Sequence, residues 1–202
     1  MIVLGLDTTG AHCSACLVKD DQVLGHISEK IGRGHAERLA PMVAELFEKT
    51  GVSTADVDRL AVCTGPGSFT GLRVALSFAK GFALPRNVPI IGLNALAVTY
   101  LMNAPVSRPC VVYQDVKRGQ IMIQTFAPDA PLPKAIPELG TLEAMKADAE
   151  VSGAVLGEAD FVDVTVMARA AITLNPTDFP PDPLYARPPD AKLPGGRAPQ
   201  LA

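Results

Sequence analysis

The residues with the clearest potential for chemistry lie at two places in the first third of the chain. Asp7 and Thr8 follow an apolar run in the segment LDTTG, and a carboxylate with hydroxyl groups at a strand end can hold a magnesium-bound phosphate. In the segment TGPGSFTGLR, Ser68 precedes a predicted helix whose first N–H groups could bind an anion, with help from Arg73. We therefore consider a remnant of an anion or nucleotide site. Its residues are Asp7, Thr8, Gly65, Gly67, Ser68 and Arg73.

The glycine-rich segment matches neither common phosphate-binding template. A P-loop has a glycine, four residues and then Gly-Lys-Ser/Thr, but the fifth residues after Gly65 and Gly67 are Thr70 and Leu72. The dinucleotide-binding pattern would place its third glycine at residue 70, and this chain has Gly71 instead. Such glycines also serve sharp turns where backbones pack closely. The segment therefore favours a tight corner, with anion binding as the alternative.

The histidines and cysteines do not have the spacing of a metal site. His35 precedes a predicted helix, but the position one turn later, where a second ligand would lie, is Leu39. Cys13 and Cys16 have no second pair after them at zinc spacing, and an offset of three within a strand points them to opposite faces. No serine lies in a recognised nucleophile motif. We predict buried, reduced thiols, no catalytic residue, no metal and no cofactor.

The pattern of apolar residues predicts the elements that position these groups. Three antiparallel strands come first, followed by a helix from Ala36 to Lys49 that ends before Gly51. A strand, the glycine-rich segment, a helix over about residues 69–84, another strand and a short helix complete the order βββαβαβα. After residue 108 the same order recurs in reduced form. It has two strands joined by a turn at 117–119, weak helical periodicity over 142–149, a strand and a helix over 162–174.

This repeated order predicts the fold class. Two successive units with early paired strands and later crossing helices are typical of the two-lobed α/β architecture of actin-like ATPases (ASKHA) and ribonuclease H-like proteins. We expect a first lobe over residues 1–104, a reduced second lobe over 105–175 and a proline-rich extended tail over 176–202. The tail is expected to contact the surface through Leu184 and Tyr185 and to be disordered at its end.

The second predicted helix has a flat ridge of small residues. Gly71, Ala75, Ala79 and Ala83 recur every four positions, which permits close approach of another element. Packing on the chain's own sheet and packing on a partner helix are equally consistent with this pattern.

Composition excludes several classes of protein. The formal net charge of -3 and the isoelectric point near 5.6 argue against wrapping of nucleic acid, which requires clustered lysine and arginine. No run of about eighteen uncharged apolar residues is present, and Asp7 interrupts the apolar beginning, so neither a membrane span nor a leader peptide is predicted. We expect a globular cytoplasmic protein with a substantial core.

Four segments together resemble the TsaB (YeaZ) family. They are LGLDTTG at residues 4–10, GHAERLAP at 34–41, TGPGSFTGLR at 64–73 and the DVKRG turn at 115–119. The resemblance extends over about residues 1–125, and the glycine-rich segment is its most specific part. It implies an actin-like fold and a non-catalytic subunit of the bacterial machinery that forms threonylcarbamoyladenosine next to the tRNA anticodon.

The resemblance also implies partners. The chain would be an inactive paralogue of the transferase TsaD and would form a heterodimer with it, and the ATPase TsaE would join the complex. Contact with tRNA would occur only through the complex, and the isolated chain could form a homodimer. The two first-lobe helices would dock on TsaD. The residues implied for this interface are Leu39, Met42, Val43, Leu46, Leu72, Ala75, Leu76 and Ala79.

Two other functions stay open at this point. The first is a nucleotide-dependent phosphotransferase of the actin-like superfamily, which needs a second acidic, glycine-containing turn in the second lobe. There the chain has Asp115, Val116 and Lys117, where the family usually has Asp-Ala-Arg. The second is an M22-type metallopeptidase, and the resemblance implies that the paired metal histidines of the paralogue are lost.

Overall fold

The first half of the chain folds into a five-stranded sheet with three helices. The computed structural model describes residues 1–104, 107–128 and 130–186. Its first strands are β1 (Ile2–Asp7), β2 (His12–Lys19), β3 (Gln22–Lys30), β4 (Arg59–Cys63) and β5 (Ile90–Leu93). The helices are α1 (His35–Thr50), α2 (Phe69–Ala83) and α3 (Ala95–Asn103). The strand order is β3-β2-β1-β4-β5, with β1 antiparallel to β2 and parallel to β4.

The second half repeats this order with fewer elements. These are β6 (Cys110–Asp115), β7 (Ile121–Phe126), β8 (Glu138–Gly140), α4 (Leu142–Ser152), β9 (Val155–Glu158) and α5 (Val164–Ala171). The order β8-β7-β6-β9 corresponds to β3-β2-β1-β4 of the first sheet, with β6 antiparallel to β7 and parallel to β9. The predicted fold class, a two-lobed actin-like α/β architecture with a reduced second lobe, is therefore confirmed.

Both faces of β1 are buried. Leu4 and Leu6 pack into the core beneath α1 and α2, whereas Val3 packs with residues of α5. A strand covered on both faces has a continuous apolar sequence instead of an alternating one, which explains the run IVLGL. On the neighbouring strand, Cys13 and Cys16 are buried free thiols on opposite faces, as predicted.

Two helices pack on the sheet of the other half of the chain. Helix α5 contacts β1, β2 and β4 of the first sheet, and the Arg59 guanidinium donates to the carbonyls of Ala171 and Leu174 at 2.5 and 2.7 Å. Helix α3 contacts β6, β7 and β9 of the second sheet, where the rings of Tyr100 and Phe126 stack at 4.4 Å. One face of each sheet is thus covered by a helix from the other half of the chain.

The proline-rich segment runs along the first sheet. We call its described part, residues 175–186, the strap. The Phe179 carbonyl accepts the N–H of Gly92 at 2.8 Å, and the N–H of Leu184 donates to the Thr64 carbonyl at 2.7 Å. Tyr185 packs against the core beneath α1 and α2, so the predicted surface contact of the tail is confirmed. The predicted disorder at its end lies outside the described residues.

No helix among the described residues is long and apolar enough to cross a membrane.

Candidate functional site

The glycine-rich segment forms a corner at which backbones touch. A Cβ atom added to Gly67 would lie 2.5 Å from the carbonyl oxygen of Thr9, and one added to Gly71 would overlap the carbonyl oxygen of Thr8. Contacts this short leave no room for a side chain, so both positions require glycine for close approach of the β1 end to α2. The geometry supports the tight corner that the sequence favoured.

Several polar groups of this corner are bonded within the chain. The Thr8 hydroxyl donates to the Gly71 carbonyl at 2.6 Å and accepts the Ala75 N–H at 3.1 Å. The Ser68 N–H donates to the Thr9 carbonyl at 2.8 Å, and the Ser68 hydroxyl accepts the Gly71 N–H at 3.3 Å. Ser68 is therefore the N-cap of α2, as predicted, and its N–H points into the corner instead of toward a ligand.

Arg73 lies outside the corner. Its guanidinium carbon is 3.8 Å from the centroid of the Phe69 ring, and its Nε donates to the Tyr185 hydroxyl at 3.2 Å. Arg73 is exposed on α2, whereas Asp7 and Thr8 are buried. The structure brings Thr8, Gly67 and Ser68 together at the corner and places Arg73 elsewhere.

Asp7 lines a small cleft between the two lobes. His12 lies beside it on the first lobe, and Gln114 and Phe161 line the opposite side. The cavity volume is about 20 Å³, which is space for about one water molecule, whereas ligand pockets usually have about 300 Å³ or more. The rings of His12 and Phe161 meet edge to face at 5.2 Å and help to close the cleft.

The groups around Asp7 are buried and held by local bonds. Oδ1 of Asp7 accepts the N–H of Thr9 at 3.0 Å and its hydroxyl at 2.7 Å. Burial raises the pKa of Asp7, and the bonds from Thr9 oppose this in part. Burial also raises the pKa of Cys63, whose Sγ lies 3.7 Å from the Thr9 hydroxyl, so this thiol stays protonated. Among residues 1–104, 107–128 and 130–186, no three His, Cys, Asp or Glu side chains are grouped as metal ligands.

All eight residues predicted as the partner interface belong to the chain's own core. Each is 0 to 5% exposed, and all pack in the cluster that joins α1 and α2 to the first sheet. The prediction is therefore wrong for these side chains, because the apolar face of each helix covers the sheet. The eight residues are Leu39, Met42, Val43, Leu46, Leu72, Ala75, Leu76 and Ala79.

The exposed side of the same two helices is a separate surface. Helices α1 and α2 lie side by side, with the rings of Phe47 and Phe82 stacked at 6.1 Å. Small exposed residues of α1 and the lining of an open groove on α2 make up what we call the outer face. Its residues are Ala40, Pro41 and Ala44 of α1 and Phe69, Thr70, Arg73, Val74 and Ser77 of α2.

Sequence reasoning missed the outer face because it followed the strongest apolar stripe of each helix. A usable signal was present in Phe69 and Val74, which lie off that stripe, and in the small residues Ala40 and Ala44 on the polar side of α1. Exposed apolar residues indicate a contact surface when they form a contiguous patch, and small residues let another helix approach closely.

Comparison of the sequence with known proteins shows its relatives. Residues 19–129 match the family model of TsaD, tRNA N6-adenosine threonylcarbamoyltransferase. The chain is 40% identical over 96 residues to the tRNA threonylcarbamoyladenosine biosynthesis protein TsaB of Escherichia coli (strain K12), covering 48% of this chain and 41% of that protein. It is 34% identical over 111 residues to the tRNA N6-adenosine threonylcarbamoyltransferase of Erythrobacter litoralis, covering 47% and 32%. These matches span about two fifths of the TsaB relative and one third of the transferase.

Solved structures show the same fold over most of the chain. A crystal structure of a Pseudomonas aeruginosa protein described as similar to peptidase YEAZ aligns with a TM-score of 0.72 at 21% identity, covering 92% of this chain and 99% of that one. YeaZ from Pseudomonas aeruginosa aligns with a TM-score of 0.66 at 21% identity, covering 91% and 99%. Since the family model of TsaD matches more than half of its residues, the chain belongs to the TsaD family, and its curated relatives include TsaB proteins.

Proposed function

We propose that the chain is a non-catalytic subunit that supports formation of threonylcarbamoyladenosine next to the tRNA anticodon by docking on a TsaD-type transferase. One contrast carries this proposal. The pocket beside Asp7 has a cavity volume of only about 20 Å³, whereas the outer face of α1 and α2 presents apolar and small side chains to solvent. The pocket has little space for a ligand, whereas the outer face is a suitable surface for a partner helix.

The small volume of the pocket beside Asp7 disfavours the phosphotransferase alternative. A cavity of about 20 Å³ has no room for a nucleotide. Asp115, at the turn that would complete a nucleotide clamp, is exposed and accepts the N–H of Lys117 at 2.6 Å. It is not among the residues that line the cleft beside Asp7.

The outer face suits a helix of a partner with the same fold. Ala40, Ala44 and Ser77 are small, so another helix can approach closely, while Phe69 and Val74 supply apolar contact. The model of the transferase family itself matches residues 19–129, a range that includes α1 and α2. A specific complex buries about 800 Å² on each partner, which a pair of helices can provide.

The remaining components follow from the same proposal. Since the chain has a formal net charge of -3, we assign tRNA binding to the complex and not to this subunit alone. An ATPase of the TsaE type would join the assembled pair. A second copy of this chain is the competing occupant of the outer face.

The test is a charge placed on the α1 part of the outer face. Ala44→Arg introduces a long cation into α1 at an exposed position, where arginine is a good helix former and the fold should be unaffected. We expect the affinity for the TsaD-type transferase of the same organism to fall at least about tenfold, measured by titration calorimetry.

The matched control is Ala147→Arg, the same change at an exposed position of α4 in the second lobe, which should bind like the unaltered chain. Equal binding by the Ala44 variant would contradict the docking surface. A homodimer that Ala44→Arg disrupts, with no binding to the transferase, would assign the outer face to a second copy.

Calorimetry with Mg-ATP tests the phosphotransferase alternative, and no saturable binding is expected up to about 1 mM.

A further inference from the structure

The strap reaches the outer face at its last described residues. The Tyr185 ring lies 5.0 Å from the Phe69 ring, and its hydroxyl accepts the Nε–H of Arg73 at 3.2 Å. The Arg73 guanidinium lies over the Phe69 ring at 3.8 Å. Tyr185 therefore forms a cluster with two residues of the outer face, although it is 112 positions away from Arg73 in the chain.

The strap is anchored one residue before Tyr185. The N–H of Leu184 donates to the Thr64 carbonyl at 2.7 Å. Beneath this bond lies Gly65 at φ 103°, and a Cβ atom there would be 2.8 Å from the Leu184 carbonyl oxygen. The glycine corner thus contacts the strap as well as the end of β1. Close packing against the strap explains why residue 65 is glycine, without a bound phosphate.

A second anchor lies on β5. The Gly92 N–H donates to the Phe179 carbonyl at 2.8 Å, and a Cβ atom at Gly92 would lie 2.9 Å from the Cα of Pro181 and would overlap the Pro180 carbonyl oxygen. Gly92 is buried, and the strap can lie this close to β5 because residue 92 has no side chain.

A third contact joins the strap to the second lobe. The ammonium group of Lys134 lies 2.8 Å from the Asp178 carboxylate. Prolines at residues 176, 180, 181 and 183 restrict the backbone between these contacts, so the anchors limit where residue 185 can lie.

We infer that Tyr185 is part of the surface on which the partner docks, and that the strap anchors at Thr64 and Gly92 hold it there together with Phe69 and Arg73. This rests on the proposed function. Tyrosine and arginine are the side chains most often responsible for binding energy at protein interfaces, and a tyrosine that is fixed before binding loses little conformational entropy. The strap is accordingly a structural part of the docking surface, which the helices alone do not complete.

The experiment compares tyrosine variants of the full chain in binding to the TsaD-type transferase of the same organism. Tyr185→Ala should weaken binding at least about tenfold in titration calorimetry. Tyr185→Phe keeps the ring and loses only the bond to Arg73, so a loss of about threefold is expected. The matched control is Tyr113→Ala, which removes a partly exposed tyrosine bonded to Glu158 at 3.1 Å in the second lobe and should leave binding within about twofold.

The role of the strap anchors in positioning Tyr185 is tested by Gly92→Ala. Residue 92 is buried, so the added methyl group cannot contact a partner directly. Folded protein with this substitution, verified by circular dichroism, should bind several times more weakly because the strap is displaced from β5. Unaltered binding by Tyr185→Ala would overturn the inference while leaving the proposed function intact. Unaltered binding by folded Gly92→Ala would overturn the positioning role. Failure of the unaltered chain to bind the transferase would overturn the proposed function and this inference with it.

Discussion

The two lobes share a strand order but differ in how completely their sheets are covered. In the first lobe, α1 and α2 cover one face and α5 covers the other, and the central residues Leu4 and Leu60 are fully buried. In the second lobe, the fourth strand leaves Val155 and Leu156 41% and 40% exposed. The same strand order can therefore occur in a sheet with a large buried core and in one with a smaller core. The second lobe keeps the connections of the first, while the first sheet gains much of its burial from a helix of the later sequence.

The two strand-end aspartates show the same difference. Asp7 ends β1 in a buried site where its carboxylate is held by Thr9, whereas Asp115 ends β6 on the surface and accepts the N–H of Lys117. Equivalent positions in the two lobes thus have opposite environments. A pair of facing acidic turns, as a nucleotide clamp requires, is replaced by one buried and one exposed carboxylate.

The largest effect on stability should come from replacing one leucine by alanine in each of two equivalent strands, β4 of the first sheet and β9 of the second. Leu60 pairs with Leu4 in the first sheet, and Leu156 pairs with Val111 in the second. Leu60→Ala should lower the free energy of unfolding by about 3 to 5 kcal/mol, because a fully buried side chain leaves a cavity. Leu156→Ala should lower it by less than about 1 kcal/mol. Urea denaturation measures both, and equal losses would show that the second sheet contributes as much core as the first.

A smaller effect should come from alanine at one strand glycine of each lobe. A Cβ atom at Gly5 in β1 would lie 2.8 Å from Cys16 Sγ and 2.8 Å from the Val164 carbonyl oxygen, so α5 must move. Gly5→Ala should therefore destabilise by about 1 to 3 kcal/mol. In β9 a Cβ atom at Gly157 would meet Val112 Cγ2 at 3.6 Å, an ordinary contact. Gly157→Ala should stay within about 0.5 kcal/mol of the parent protein in the same urea series.

A tolerated Gly5→Ala substitution would contradict the close packing of α5 on the first sheet. A strongly destabilising Gly157→Ala substitution would instead indicate that the second sheet is packed as tightly as the first. The two variants therefore test the comparison of the lobes independently of leucine side chains.

The elements and their order were predictable because they depend on local patterns. Helix α1 was predicted over 36–49 and extends over 35–50, with Gly51 at φ 68° ending it through an N–H bond to the Phe47 carbonyl. The recurrence of the βββα order after residue 108 sufficed for the fold class. Predictions of elements rest on spacing within a few turns, which the sequence contains directly.

What covers a helix was not predictable, since apolar periodicity marks a buried face without identifying the neighbour. Leu72 and Ala75 fit a partner helix as well as they fit the chain's own sheet, and only the fold shows that the sheet covers them. Contacts between residues far apart in sequence, such as Arg59 with Leu174, determine the path of the strap. They also determine that α5 packs on the first sheet and α3 on the second. The contact of Tyr185 with Phe69 and Arg73 of α2 likewise became apparent only from the structure.

The smallest change should come from replacing each strand-end aspartate by asparagine. Burial raises the pKa of Asp7 above 3.8, so the folded protein binds this proton more tightly than the unfolded chain does. The resulting stabilisation is complete below pH 3.8 and is lost as the pH rises through the pKa of the folded state. Asp7→Asn removes the buried charge and keeps an oxygen that can accept the bonds from Thr9. We therefore expect it to be more stable than the parent at pH 7, with the difference shrinking toward pH 4.

Urea unfolding of both proteins at the two pH values measures this difference, and other carboxylates cancel because the two chains share them. Asp115→Asn is the exposed counterpart. Its oxygen can still accept the Lys117 N–H, but the exposed ion pair of the carboxylate with the Lys117 ammonium at 3.5 Å is lost. Stability should therefore change by less than about 1 kcal/mol at either pH. If Asp7→Asn were less stable than the parent by the same amount at both pH values, the bonds from Thr9 would outweigh burial. The two aspartates would then differ in hydrogen bonding and not in solvation. If the expected result is obtained, the first lobe contains a buried carboxylate that lowers stability at neutral pH, and the second lobe has none at the equivalent strand end.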